Sequence, residues 1–288
     1  MSTSPTLSSS LPSLPPLCHD LVSIPFFVLV LVLVLLVFLG CAVNRSSGES
    51  FLFCIYLPWL IWEGVGCDES DRVNSLLLPS KGLVGTISPF IVNLTSLSTL
   101  NLSQNWLSGP IPDGFFMALN RLVIIDISHN RLTGQLSDSD KLMSTVTIVD
   151  LSSNHFYGRI QSSFLQPALN LQRFDVSNNS FSGSIPSSVC RFSHSIVHLD
   201  FSNNDFVGPI LQGFGQCPNL LRLRAGFNNL SGAIPNDIYT VSALQELYLP
   251  ANKLSGVIDG SIVNLINLRN LSLYGNELST CLPINSLE

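Results

Sequence analysis

The chain has 288 residues, 46% of them hydrophobic and 11% charged, with a formal net charge of −6. It is too apolar to be disordered and too acidic for general nucleic-acid binding. Its length suits one large domain or two small ones.

All thirteen Lys and Arg lie after residue 44, so the first forty-odd residues form a compositional block of their own. Within it, Phe26 to Leu39 is an unbroken apolar run of fourteen residues. A membrane helix needs roughly 20, so the run suits the core of a secretory signal peptide, with Gly40 and Ala42 as small residues for cleavage. The segment ahead of it carries no Lys or Arg, only His19 and Asp20. A signal anchor is therefore the alternative reading of residues 1–42, and Arg45 behind the run would weakly hold the rest of the chain in the cytoplasm. Six N-x-S/T sequons, at Asn44, Asn93, Asn101, Asn178, Asn229 and Asn270, favour the secretory pathway. The repeats are then expected outside the cell or at the plasma membrane. Seven cysteines leave at least one thiol unpaired, Cys18 in the leading segment being the candidate.

After a short cap-like stretch over residues 43–72, the chain is a repeat. Copies start at Val73, Leu97, Leu122, Val146, Leu171, Ile196, Leu220, Leu244 and Leu268, spaced 24 or 25 residues apart, the last incomplete. The first, fourth and sixth residues of each copy are apolar, and the alternation at the latter two is strand periodicity. One short strand per copy, stacked on the next, predicts a parallel sheet on the concave face of an α/β solenoid. The convex side is expected to hold outer strands and irregular or 3-10 segments. The ninth residue is Asn in eight copies, Asn105 through Asn276, and an inward Asn can donate to and accept from the backbone where the chain leaves the sheet. Only the first copy departs, with Lys81. The thirteenth is Gly in eight copies, Gly85 through Gly256, which predicts a turn at positive φ. Ile87, Ile111, Ile185 and Ile234 follow two residues later, often with Pro behind them, as at Pro112 and Pro283.

The consensus L-x-x-L-x-L-x-x-N-x-L-x-G-x-I-P resembles the plant class of leucine-rich repeat found in receptor-like kinases and receptor-like proteins. "FDVSNNSFSGSIP" (174–186) and "LRAGFNNLSGAIP" (223–235) are similar to the group of tyrosine-sulfated glycopeptide and phytosulfokine receptors. The resemblance implies extracellular recognition of a peptide, sulfated in that group, together with a co-receptor carrying the same repeat. It implies no cofactor and no metal. "WEGVGCDE" (62–69) looks like the end of the family's N-terminal cap. Family caps carry a cysteine pair ahead of that Trp, where Trp59 and Leu60 stand here, so Cys67 is expected to have lost its usual partner, with Cys54 a poor substitute. The family's further repeats, membrane helix and kinase are not found, and the ninth copy breaks at Thr280. A truncated receptor product is the expectation. The alternatives are a secreted repeat protein inhibiting pathogen cell-wall hydrolases, and a non-functional gene fragment.

No catalytic arrangement is visible, and the Gly-rich loop, H-R-D and D-F-G elements of a kinase are absent from the sequence. His129 and His198 fall at outward sheet positions and read as solvated. Asp126, Asp150, Asp175 and Asp200 take the fifth position of four successive copies. Such a row could hold a cation or basic partner, but the Ser two residues on (Ser128, Ser152, Ser177, Ser202) favours a structural reading. The seventh copy changes sign, with Arg222 and Arg224 at positions three and five, Phe227 at eight and Tyr248 beside Arg224 in the next copy. These four residues are the candidate ligand site, because a guanidinium fork suits a sulfate or carboxylate. Pairing of Arg224 with Asp200 is the plainer alternative. Cys190 and Cys217 on adjacent coils either bridge or are both small buried residues.

Overall fold

The computed structural model describes residues 64–70, 72–136, 141–258 and 260–280. The signal segment 1–42 and most of the cap, with Cys18, Asn44 and Cys54, lie outside those residues, as does Pro283.

Each copy places its short apolar alternation in a strand of three to five residues. Ten described strands, from Val65–Cys67 and Val73–Leu77 through His198–Asp200 to Asn270–Ser272, form one sheet in chain order. Val65–Cys67 runs antiparallel to the first repeat strand, and the others are parallel. Arg173 lies opposite His198, and Arg222 opposite Glu246, so each repeat position forms a row across the sheet. The rows step by about 4.8 Å per copy.

One side of this sheet is the core. Leu100, Ile125, Val149, Phe174, Leu199, Leu223 and Leu247 occupy the fourth position, and each is at most 1% exposed. Burial on that scale contributes about 1.5–3 kcal/mol per side chain. Phenylalanines thicken the middle coils: Phe174 meets Phe201 edge-on at 6.1 Å, and Phe201 meets Phe206 at 5.8 Å. In the ninth copy the same position holds Leu271, which is 44% exposed.

At the corner after each strand the ninth-position Asn links two coils. Asn130 Nδ2 donates to the carbonyls of Leu102, Ile127 and Ser128, and its Oδ1 accepts from the Leu107 amide. Asn154 and Asn252 repeat the pattern. The amide thereby satisfies backbone groups that would otherwise be buried without partners.

The residue just before it was not singled out by sequence. At position eight, Ser80, Gln104, His129, Ser153, Asn178, Asn203, Phe227 and Ala251 all have φ between 51° and 57°. His129 and Phe227 thus sit at a left-handed corner rather than on the sheet face. Their amides continue the coil-to-coil bonding, as in Phe227 N–H to the Pro250 carbonyl at 2.7 Å.

Outer strands, nine among the described residues, run from Val84–Thr86 to Glu277–Thr280 and pair in a second parallel set. The thirteenth-position glycines end or bend these strands at φ of 74° to 108°, as expected. The convex connections are four-residue helices and 3-10 turns, such as Phe115–Ala118 and Asn236–Thr240. The ninth copy lacks the consensus glycine at Thr280, yet its backbone still pairs there, with Ile258 opposite Thr280 in register.

Cys190 and Cys217 are bonded across adjacent coils, with Cα atoms 4.9 Å apart, and both are fully buried. Cys67 is also in a disulfide, which corrects the expectation that it had lost its partner. No helix among the described residues is long and apolar enough to cross a membrane.

Candidate ligand-binding face

Positions three and five of every copy point away from the core onto the concave face. Four acids stand there in a row, and most of each carboxylate is covered. Oδ1 of Asp126, Asp150 and Asp175 accepts from the backbone N–H and the hydroxyl of the serine two residues on, the hydroxyl bonds being 2.6–2.7 Å. Asn101 is bonded the same way by Ser103. The acidic row is therefore a turn-bracing device, as its serines suggested. The outer oxygens of Asp150 and Asp175 share Arg173, at 2.9 and 3.1 Å.

His198 is not solvated. Its strand sets it between Asp175 and the arginines, its side chain is 12% exposed, and Nε2 lies 3.8 Å from Asp175 Oδ2. Burial lowers it to about 4, with Arg173, Arg224 and Arg222 adding to the effect against Asp175. Burial and the Asp175 carboxylate push Asp200 up to about 6 and also raise Asp150. Ligand atoms of Asp175, His198 and Asp200 lie within 4.8 Å of one another. Both carboxylates are held by guanidinium groups, Asp175 by Arg173 and Asp200 by Arg224 at 3.7 Å.

The sign then reverses. Arg224 does pair with Asp200, but its fork belongs to Glu246: Nε donates to Oε1 at 3.1 Å and Nη2 to Oε2 at 2.9 Å. Arg222 is freer, 57% exposed and 3.8 Å from Glu246. Tyr248 stands opposite Arg224 in register. Gly226 occupies the place that serine holds in the five preceding copies. A Cβ there would come within 2.7 Å of the Pro250 ring and 2.9 Å of the Tyr248 ring, so the glycine makes room for both. Phe227 meets Tyr274 edge-on at 6.5 Å, and both rings are exposed. Burial and a hydrogen bond with Tyr274 raise the Tyr248 hydroxyl. Two arginines, one acid and three rings thus form one surface over copies seven to nine.

The family description Leucine Rich Repeat matches residues 96–117, 170–192 and 195–217. The ectodomain of the Arabidopsis receptor kinase HAESA, solved with the peptide hormone IDA and the co-receptor SERK1, superposes with a TM-score of 0.65. It is 32% identical and covers 69% of this chain and 33% of its own. The fold is a leucine-rich repeat solenoid. A plant ice-binding protein shares it at 27% identity and a TM-score of 0.59, over 75% of this chain and 77% of its own. Among sequence relatives, the serine/threonine-protein kinase BRI1-like 1 of Arabidopsis thaliana is 30% identical over 131 residues, and Receptor-like protein 3 of the same plant 45% over 65. The matched segments span 11% and 9% of those relatives.

On this leucine-rich repeat frame, Arg222, Arg224 and Tyr248 fall together as the sequence placed them, and Phe227 joins them from the corner. Glu246 and Tyr274 were missed, although the repeat register alone puts Glu246 opposite Arg222. Of the sequons, Asn93, Asn178, Asn229 and Asn270 are exposed, and Asn101 is half-buried within the concave row.

Proposed function

We propose that the concave surface of copies seven to nine recognises an acidic peptide outside the cell. The chain would then act as the ligand-sensing part of a plant receptor-like protein or kinase, reached through the secretory pathway and working with a co-receptor of the same repeat. The observation that carries this reading is the sign reversal along one continuous sheet face, at which Asp200 is followed in register by Arg224 and then by Tyr248. Phe227 supports it: a bulky ring held at φ 56°, where the eighth position otherwise carries small or polar residues, is strained. Such strain is typically retained at ligand sites. The HAESA complex, with its peptide hormone and co-receptor, supports the kind of partner.

Arg222 offers its fork to a sulfate or carboxylate while Phe227, Tyr248 and Tyr274 flank the chain of the ligand. Glu246 competes for the same guanidinium groups. Titration calorimetry with a tyrosine-sulfated peptide and its unsulfated counterpart tests this. Arg222→Glu is expected to weaken the sulfated peptide at least tenfold at unchanged thermal midpoint, and Glu246→Gln to tighten it several-fold by releasing Arg224. Equal affinity of Arg222→Glu and the parent would overturn the reading.

A further inference from the structure

A second surface, on copies two to four, is built from different chemistry and stands apart from the concave arginines. The tenth-position residues Trp106, Arg131 and His155 each open an outer strand there. Trp106 is 54% exposed, and the Arg131 guanidinium lies 4.5 Å from its ring centroid. On its other side Trp106 lies opposite Val84 in the strand register, and Val84 is itself 49% exposed. Together with Gln104, His129 and Ser153 from the left-handed corners, these side chains line a shallow groove of about 490 Å³.

Two properties of the groove restrict what fits it. First, no carboxylate of the described residues lines it, in a chain whose net charge is −6. Arg131 has no ion pair among the described residues, and its stacking on Trp106 leaves the N–H edge of the fork for a ligand. The groove is thus rich in donors and calls for an anionic partner rich in acceptors. Second, the backbone along it is already spent. The Trp106 amide donates to Leu83, Asn105 to His129, and His129 to Ser152, while Leu107 and Leu132 donate to ladder asparagines. An added peptide strand draws its affinity from main-chain bonds at a free edge, and here no free edge is offered. Recognition must come from side chains alone: one aromatic plate, one guanidinium, two imidazoles, an amide and a hydroxyl.

We infer that this groove binds an acidic oligosaccharide, with the C–H face of a sugar ring on Trp106 and a uronate carboxylate on Arg131. Ring hydroxyls would accept from and donate to Gln104, His129, His155 and Ser153. The peptide surface of copies seven to nine plays no part in it.

Calorimetry of the whole chain with an oligomer of uronic acid, its methyl ester and a tyrosine-sulfated peptide tests the inference. The expected result is binding of the acid form that falls at least tenfold on esterification, and equally in Trp106→Ala and in Arg131→Gln. Both substitutions are at exposed side chains, and a thermal midpoint within two or three degrees of the parent is expected for each. Arg222→Glu should leave sugar binding unchanged. Equal affinity for the ester, indifference to either substitution, or a sulfated peptide whose binding Trp106→Ala abolishes would each overturn it.

Discussion

Single residues decide where this solenoid departs from its own repeat. Phe227 takes a left-handed corner at which asparagine or glycine would be relaxed, a cost of about 1–2 kcal/mol for an L residue. Phe227→Asn should therefore raise stability by about 1 kcal/mol in urea unfolding, while weakening the sulfated peptide. Gain in both would remove the ligand role of the ring. His198 and Asp200 make a second test. Asp200, raised from 3.8 to about 6, stabilises most at low pH and loses that contribution as pH rises through 6. His198, lowered from 6.5 to about 4, does the reverse: its contribution is present above 6.5 and is lost as pH falls through 4. The two oppose each other in the same window, so the parent should be nearly flat between them. Asp200→Asn should unmask His198 and lose about 2 kcal/mol on acidification across that window, allowing for solvent screening. A profile parallel to the parent's would contradict the pairing of these two shifts.

At the scale of one coil, the ladder asparagine is the element's main polar support. Asn154→Leu leaves the Leu132 amide unpartnered in the interior, while the carbonyls of Ile127, Leu151 and Ser152 each keep one donor, from Asn130, Asn179 and the His129 amide. A buried amide left so costs about 1–3 kcal/mol, and a loss of about 2 kcal/mol is expected in chemical unfolding. Leu247→Ala should cost about 2–5 kcal/mol as a fully buried truncation. Leu271→Ala, at the same position of the ninth copy and 44% exposed, should cost under about 1 kcal/mol. Period, strand, ladder and glycine turn were all legible in the sequence, because each is a local requirement repeated in eight or nine copies. The left-handed eighth position was not, since its occupants share no chemistry and the constraint is on the backbone alone. Glu246 was legible from the repeat register and was missed, whereas the burial of His198 and the disulfide of Cys67 were hidden. The burial of His198 depends on how deep the acidic row sits and on arginines of the adjacent coils, which single-chain spacing does not carry.

Over the whole molecule, stacking converts a repeat into a curved wall with graded charge: acids braced by serines in the middle, arginines and rings toward the last copies, and a donor-rich groove on the early corners. Because each coil touches only its neighbours, surface rows can change freely while the core row does not. Hydrogen exchange of the chain with and without a tyrosine-sulfated peptide tests this arrangement most directly. The inner-strand amides of copies two to eight should be slow in both states, and added protection should be confined to residues 222–227, 246–248 and 270–274. Fast exchange of the inner strands, or peptide protection centred anywhere else on the wall, would contradict it.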